Sequence, residues 1–300
     1  MLIVNPFASA VTPRARQVAI DALEGHDVTV ADTSRRDHAT DLAREAAADG
    51  TEVVVVLGGD GTVNEVAHAL VGTPTAVAPL PGGSTNVFAR TLGVDRRAAR
   101  AAVQVRELLE RGVVRSIPVG SVNGRHFLFH VGVGFDAAVV AQVEGKAELK
   151  RKLGQAVFVY AAFDTYFRHY DHSRPRFSVR LPDGTSVDDG YFLICLNSNP
   201  YTYLGRRRLT VTPDAVESRG LVSVTVRSLT VGNLVGVFAS AVGSGTRLRA
   251  NPKVDYRSDL ENLEVRGHGP VPYQVDGDYL GEAETLSISH HRDALKIVAP

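Results

Sequence analysis

The chain has one cysteine, Cys195, so no internal disulfide can form. That residue lies in the apolar run Tyr191–Leu196 and reads as a small buried hydrophobe rather than a reactive thiol. Long apolar runs are missing as well: none reaches the ~18 residues needed to cross a bilayer. The chain starts directly on Met1-Leu2-Ile3-Val4, without the basic stretch and apolar segment of an export signal. These absences predict a soluble, cytoplasmic protein whose membrane contact, if any, is peripheral at the inner face. There is no charge excess either. Lys+Arg and Asp+Glu both number 33, so no overall field draws the chain to nucleic acid. No repeat or low-complexity segment stands out. Composition leaves the oligomeric state open, a homodimer included.

What is present fits two domains: 300 residues with 44% apolar content exceed one typical core. Up to about Arg115, strands and helices alternate. Leu2–Val4, Val28–Val30, Val53–Leu57 and Thr75–Ala78 read as strands. The segments after Thr12-Pro13, from Asp37 (as N-cap) to Ala48, from Thr62 to Leu70, from Val87 to Leu92 and from Asp95 to Arg111 read as helices. Such alternation predicts a parallel sheet with helices on both faces. From residue 118 the texture changes to short strands and turns. It opens on a hairpin with Asn123-Gly124 as a type I′ turn. The expected fold is therefore an α/β nucleotide domain followed by an antiparallel β-sandwich with inserted helices, near Leu153–Arg168 and Val231–Ala241. The boundaries fall at 1–117, with a returning C-terminal strand at about 291–300, and at 118–290.

The most informative stretch is Gly58-Gly59-Asp60-Gly61-Thr62, at the carboxyl end of a β-branched strand and the start of a helix. Open α/β sheets bind ligands there, and free helix N-terminal amides suit phosphate oxygens. Glycine removes the Cβ that would hold those oxygens off. Asp60 repels anions, so it reads as a base or as a partner for a metal carried by the phosphates. A second loop, Pro81-Gly82-Gly83-Ser84-Thr85-Asn86, closes the next βα step and adds short donors. Neither loop is a Walker A sequence, and the first βα turn, Asn5-Pro6-Phe7-Ala8-Ser9, is no Rossmann fingerprint. Asn5 and Ser9 either line a nucleotide or belong to a plain loop.

With Gly132-Val133-Gly134-Phe135-Asp136 and Val275-Asp276-Gly277-Asp278 added, five ordered motifs resemble the diacylglycerol kinase and sphingosine kinase superfamily. The chain is most similar to its bacterial soluble lipid kinases, and the resemblance spans nearly the whole sequence. It implies ATP bound between the domains, with its accompanying Mg²⁺, and a lipid acceptor held largely by the β-rich domain. Under it, Thr33, Gly58, Gly59, Asp60, Gly61, Thr62, Val63, Asn64 and Ser84 fall at nucleotide positions, to which the loops themselves add Asn5, Gly83 and Thr85 as nucleotide-binding candidates. Asp60 and Asp278 take the catalytic places, Asp278 as proton acceptor, and Asp136 lies near the acceptor head group.

Three residues depart from the family pattern. Asp278 replaces the usual Glu, a reach shorter by ~1.5 Å where ~1 Å can cost on the order of 10²-fold in rate. Val87 stands where many relatives carry Asp. Arg219 replaces the Asp that binds a structural Mg²⁺ in the bacterial pattern, and a guanidinium repels a cation, so that metal site is expected to be lost. Two alternatives follow: a soluble small-molecule kinase of NAD-kinase type, and a non-catalytic lipid- or nucleotide-binding regulator. Elsewhere, Lys146, Lys150, Arg151 and Lys152 precede an aromatic stretch from Val157 to Phe167 that either docks on anionic membrane or packs on the sandwich. Arg206-Arg207-Arg208 reads as an anion-binding or plain solvent loop. His290-His291 point to opposite faces of a strand and do not share a metal.

Overall fold

A computed structural model describes residues 1–144 and 164–300. The basic cluster at 146–152, most of the aromatic stretch and most of the helix expected at 153–168 lie outside the described residues. The chain forms two compact units, Met1–Val119 with Arg292–Pro300, and Gly120–His291.

In the first unit, β1 (Leu2–Val4), β2 (Val30–Asp32), β3 (Val53–Gly58) and β4 (Ala76–Pro81) lie in the order β2–β1–β3–β4, all parallel. β3 and β4 are continuous apolar runs because both their faces are covered. Each fully buried Val or Leu there contributes ~1.5–3 kcal/mol. The helices are α1 (Pro13–Ala22), α2 (His38–Ala48), α3 (Asp60–Leu70), α4 (Val87–Thr91) and α5 (Ala98–Glu110). Thr12 caps α1 by accepting the Ala15 amide, with Pro13 in the first turn.

Two local expectations change. Asp37 sits at the α2 N-cap in the left-handed region, at φ 63°, and its side chain caps nothing. The cap comes instead from Glu65 on α3, whose carboxylate accepts the amides of Asp37 (3.0 Å) and Ala39 (3.2 Å). The strand expected at Val28–Val30 begins at Val30.

The second unit is antiparallel. β5 (Arg115–Val122) enters it and turns through Asn123 (φ 48°) and Gly124 (φ 82°) into β6 (Arg125–Phe127), the type I′ geometry that Asn-Gly favours. There follow β7 (His130–Gly134), α6 (Phe135–Glu144), β8 (Phe177–Arg180), β9 (Ser186–Gly190), β10 (Phe192–Leu196), β11 (Thr202–Leu204), β12 (Arg207–Leu209), β13 (Leu221–Val226), α7 (Val231–Val242), β14 (Val254–Leu260), β15 (Asn262–Val275) and β16 (Asp278–Ile297). Strands run β14–β13–β10–β7–β15–β16.

β15 makes the sandwich from one sheet. Glu264–Gly267 pair with β8 while Tyr273–Val275 pair with β7, and the register against β16 slips between Arg266 and Val271. The sheet folds over there, so Phe177, Val179, Leu263 and Val265 meet Val131, Val133, Leu193 and Cys195 in one core. Phe192, Ile194 and Leu196 point the other way, into a second core with Val237 and Ala241 of α7. Burial pushes the Cys195 thiol well above its ordinary pKa, as suits an inert core residue. Among the described residues no helix is long and apolar enough to cross a membrane.

Candidate functional site

The chain leaves β1 toward β2 on one side and returns to β3 on the other, so the strand order reverses between β1 and β3. The carboxyl ends of strands at such a reversal form the ligand crevice of open α/β sheets. Three loops converge here, after β1, β3 and β4.

The glycine box is less a loop than expected. Gly59 alone separates β3 from α3, and Asp60, Gly61 and Thr62 already form the first helical turn. In that turn the backbone N–H groups have no intrahelical acceptor, an arrangement that suits anions. Asn5 ties β1 to it by donating from Nδ2 to Thr62 Oγ1 (2.8 Å), while its Oδ1 accepts the Phe7 amide.

Much of the glycine requirement comes from packing between loops. A Cβ on Gly82 would sit 2.9 Å from the Cα and N of Gly58, and one on Gly83 would sit 2.8 Å from Gly59 Cα. The Gly82 amide donates to Gly58 O (2.8 Å). Asn86, at φ 49°, closes the second loop by accepting the Gly83 amide and donating to its carbonyl, both at 2.7 Å.

Asp60 joins the two loops. Its two carboxylate oxygens accept the amides of Val87 (2.9 Å) and Phe88 (3.0 Å), the first residues of α4. Its side chain thus does for α4 what an N-cap side chain does. Val87 is buried beside it. Of the remaining residues, Ser84 is exposed, Thr85 half-buried and Thr33 buried at the end of β2. Val63 has least to offer a ligand, since its side chain is buried and its amide bonds Gly59 O. Asn64 is also buried, at 2% exposure.

The second unit holds its own polar constellation. Asp276 (φ 50°) and Gly277 (φ 92°) form the two-residue turn between β15 and β16, which presents Asp278 at the strand start. The buried Asp276 carboxylate accepts three amides, from Leu128 (2.7 Å), Phe129 (3.0 Å) and His130 (3.0 Å). Asp136 opens α6. It accepts from Tyr201 Oη (2.7 Å) and Gln274 Nε2 (2.9 Å), and Gln274 Oε1 in turn accepts the Gly277 amide (2.8 Å). Gly132 makes room, because a Cβ there would fall on the Asp136 carboxylate.

Burial raises the Asp136 pKa against the lowering effect of its two hydrogen bonds, and burial followed by the Asp136 charge raises that of Tyr201. His130 is buried with neither ring nitrogen hydrogen-bonded, 4.2 Å from the Tyr201 ring, and burial depresses its pKa to about 3. Tyr201, Gln274 and His130 carry no spacing signal in the sequence; only the fold brings the first two to Asp136 and His130 to Tyr201. Arg219 is exposed in a turn, its amide bonded to Val216 O. Among the described residues no three metal-ligating side chains come together.

Residues 1–122 match the diacylglycerol kinase catalytic domain family. The "Probable lipid kinase YegS-like" protein of Pseudomonas aeruginosa strain UCBPP-PA14 is 30% identical over 285 residues, covering 94% of this chain and 88% of that protein. The "Diacylglycerol kinase" of Bacillus subtilis is 35% identical over 137 residues, 45% of this chain and 43% of its own. In fold, a diacylglycerol kinase crystal structure from Bacillus anthracis superposes over 100% of this chain and 96% of that one, with TM-score 0.78 at 22% identity. An NAD kinase from Archaeoglobus fulgidus, solved with ATP, superposes at TM-score 0.58 and 13% identity, over 99% and 92%. Similarity carried through both units, at this identity and coverage, shows that the chain belongs to the YegS-like, diacylglycerol kinase-type family of lipid kinases.

Proposed function

We propose that the protein transfers the γ-phosphoryl group of ATP to a hydroxyl of a diacylglycerol-like or sphingoid lipid. One observation carries the reading. Asp60 binds both leading amides of α4, so the two glycine loops are locked together around the N-terminus of α3 before any ligand arrives. A preformed anion cradle at a strand-order reversal is what a nucleoside triphosphate needs, because phosphoryl transfer depends mainly on positioning and electrostatics.

The phosphate oxygens take the first-turn amides of α3 and the donors of the second loop, Ser84 and Thr85. Mg²⁺ accompanying the nucleotide would offset phosphate charge, and Asp60, the one carboxylate of the two loops, is the residue that would help hold it. With both oxygens engaged by amides, Asp60 is better suited to holding the cradle than to taking a proton. That task falls to Asp278 in the second unit, with Asp136 anchoring the acceptor head group. As the acceptor oxygen bonds to the γ-phosphorus, the bond to the β-phosphate oxygen breaks. The hydroxyl proton passes to the Asp278 carboxylate, and ADP leaves.

The test is transfer of labelled γ-phosphate from ATP to a total lipid extract, with nucleotide binding measured in parallel on a fluorescent ATP analogue. Asp278→Asn is expected to bind nucleotide within about twofold of the parent and to lose on the order of 10² in transfer. Asp60→Asn should lose both, since its amide would turn a donor toward the α4 amides. Undiminished labelling by both variants would remove the two carboxylates from the mechanism. Labelling of NAD supplied in a parallel reaction, with no lipid labelled, would point to the small-molecule kinase. Binding without turnover on any lipid would point to a regulator.

A further inference from the structure

α7 shows an apolar face to solvent. Val231, Val235 and Phe238, spaced i, i+4 and i+7, are 45%, 58% and 49% exposed. They are three of the seven large hydrophobic side chains exposed among the described residues, so exposed apolar surface gathers on this helix rather than scattering. Its opposite face packs through Asn233, Val237, Ser240 and Ala241, and Thr230 caps it by accepting the Asn233 amide. The helix has no charged residue.

Cations stand beside this helix. β12 packs against α7, and the Thr210 amide donates to Ala241 O (2.7 Å), which puts the exposed Arg206, Arg207 and Arg208 beside the helix end. The 3₁₀ turn Thr246–Ala250 also packs on α7 and exposes Arg247 and Arg249. Arg249 pairs with Asp214, so the field comes mainly from the other four. Neither 204–213 nor 227–253 contains a carboxylate, although the whole chain is formally neutral.

We propose that α7 and β12 form the face by which this protein lies on an anionic lipid surface. Val231, Val235 and Phe238 enter the acyl boundary, and Arg206, Arg207 and Arg208 meet the lipid phosphates. A second copy fits this face poorly, because a two-fold contact sets like cations against each other. The proposal stands on surface chemistry alone. It would give the kinase reading a route to its acceptor.

The test is sedimentation of the full chain with vesicles of phosphatidylcholine alone or with added phosphatidylglycerol, without nucleotide or acceptor. Binding is expected only with phosphatidylglycerol. It should fall at least about tenfold in Val235→Ser/Phe238→Ser and, at low salt, in Arg206→Gln/Arg207→Gln/Arg208→Gln. Val103→Ser, an exposed apolar position in the first unit, should change nothing. The chain has no tryptophan, so Phe238→Trp is a single reporter whose emission should shift to the blue and be quenched by brominated lipids. Equal binding to neutral vesicles, or unchanged binding by both multiple variants, overturns the proposal. So does a change in oligomeric mass with vesicle binding intact, which assigns the face to a second copy. Capture of an acidic protein without lipid binding overturns it too. Transfer to a detergent-dispersed acceptor is expected to survive the α7 substitutions, so a failure here is distinct from a failure of the kinase reading.

Discussion

Asp276 and His130 show how much one residue's meaning depends on the fold. In the sequence Asp276 is a letter in a motif whose chemistry belongs to Asp278. Folded, it clamps the amides of residues 128–130 and so fixes the segment that carries His130. Nothing in the local sequence announces that contact, because its partners lie about 147 residues away. His130 follows as a measurable consequence. Its folded pKa of about 3 lies below the unfolded value of 6.5, so the fold keeps it neutral. The associated stability is complete above pH 6.5 and is lost as pH falls toward 3, ~3 kcal/mol by pH 4. Asp136, reached through Tyr201, works in the opposite sense. Its raised pKa favours the fold below the ordinary carboxylate value of 3.8, and that support fades as pH rises through the folded value. Urea midpoints at pH 8, 6 and 4 should fall more steeply for the parent than for His130→Phe, the gap opening by ~3 kcal/mol at pH 4. Parallel profiles would mean that His130 is not held neutral.

At the scale of elements, β3 and the glycine box were legible because a β-branched run ending in glycine has few other readings. What glycine is for was not. The sequence suggested room for phosphate, yet Gly82 is demanded by the Gly58 backbone, a contact between loops far apart in sequence. The cap of α2 was misread for the same reason: Asp37 is local and plausible, while Glu65 arrives from the next helix. The two roles of glycine separate by substitution. Gly82→Ala drives a Cβ into backbone that cannot yield and should cost ~1–3 kcal/mol, loosening both loops. Gly59→Ala meets only the Gly83 backbone, Cα at 3.5 Å and N at 3.9 Å, in backbone (φ −87°, ψ 179°) that any residue adopts. Its stability should stay within about 1 kcal/mol of the parent while ATP-analogue affinity falls at least tenfold, because the Cβ enters the narrow space between the two glycine loops, where the proposed cradle would hold phosphate. Denaturation and binding curves on the two variants check this. Unchanged affinity in Gly59→Ala would move the phosphate site away from the α3 N-terminus.

For the whole molecule, the order of the motifs was readable, and so was the change from βα alternation to antiparallel strands. The sequence could not show the fold-over of β15, because the slip between Arg266 and Val271 becomes visible only against its neighbours. Of β15 and β16, 14 and 20 residues long, only the stretch at about 291–300 stood out in the sequence, because elsewhere buried and exposed side chains alternate along them. The end of β16 gives a test of how stability is divided. Leu295, Ile297, Val298 and Ala299 are all buried to within 1%. Ile297 pairs with Val77 in parallel, the Val298 amide bonds Val77 O (2.9 Å), and the Gly72 amide bonds Ala294 O (2.8 Å). Residues 294–299 therefore complete the core beside β4. Ile297→Ala should cost ~2–4 kcal/mol, and the loss should be local. Amide hydrogen exchange should accelerate in β3 and β4 while β10 and β13 keep their protection, with weaker ATP-analogue binding alongside. Uniform acceleration across both units would show that the chain unfolds as one cooperative body. Unchanged exchange in β4 would show that the end of β16 contributes nothing to the sheet it joins.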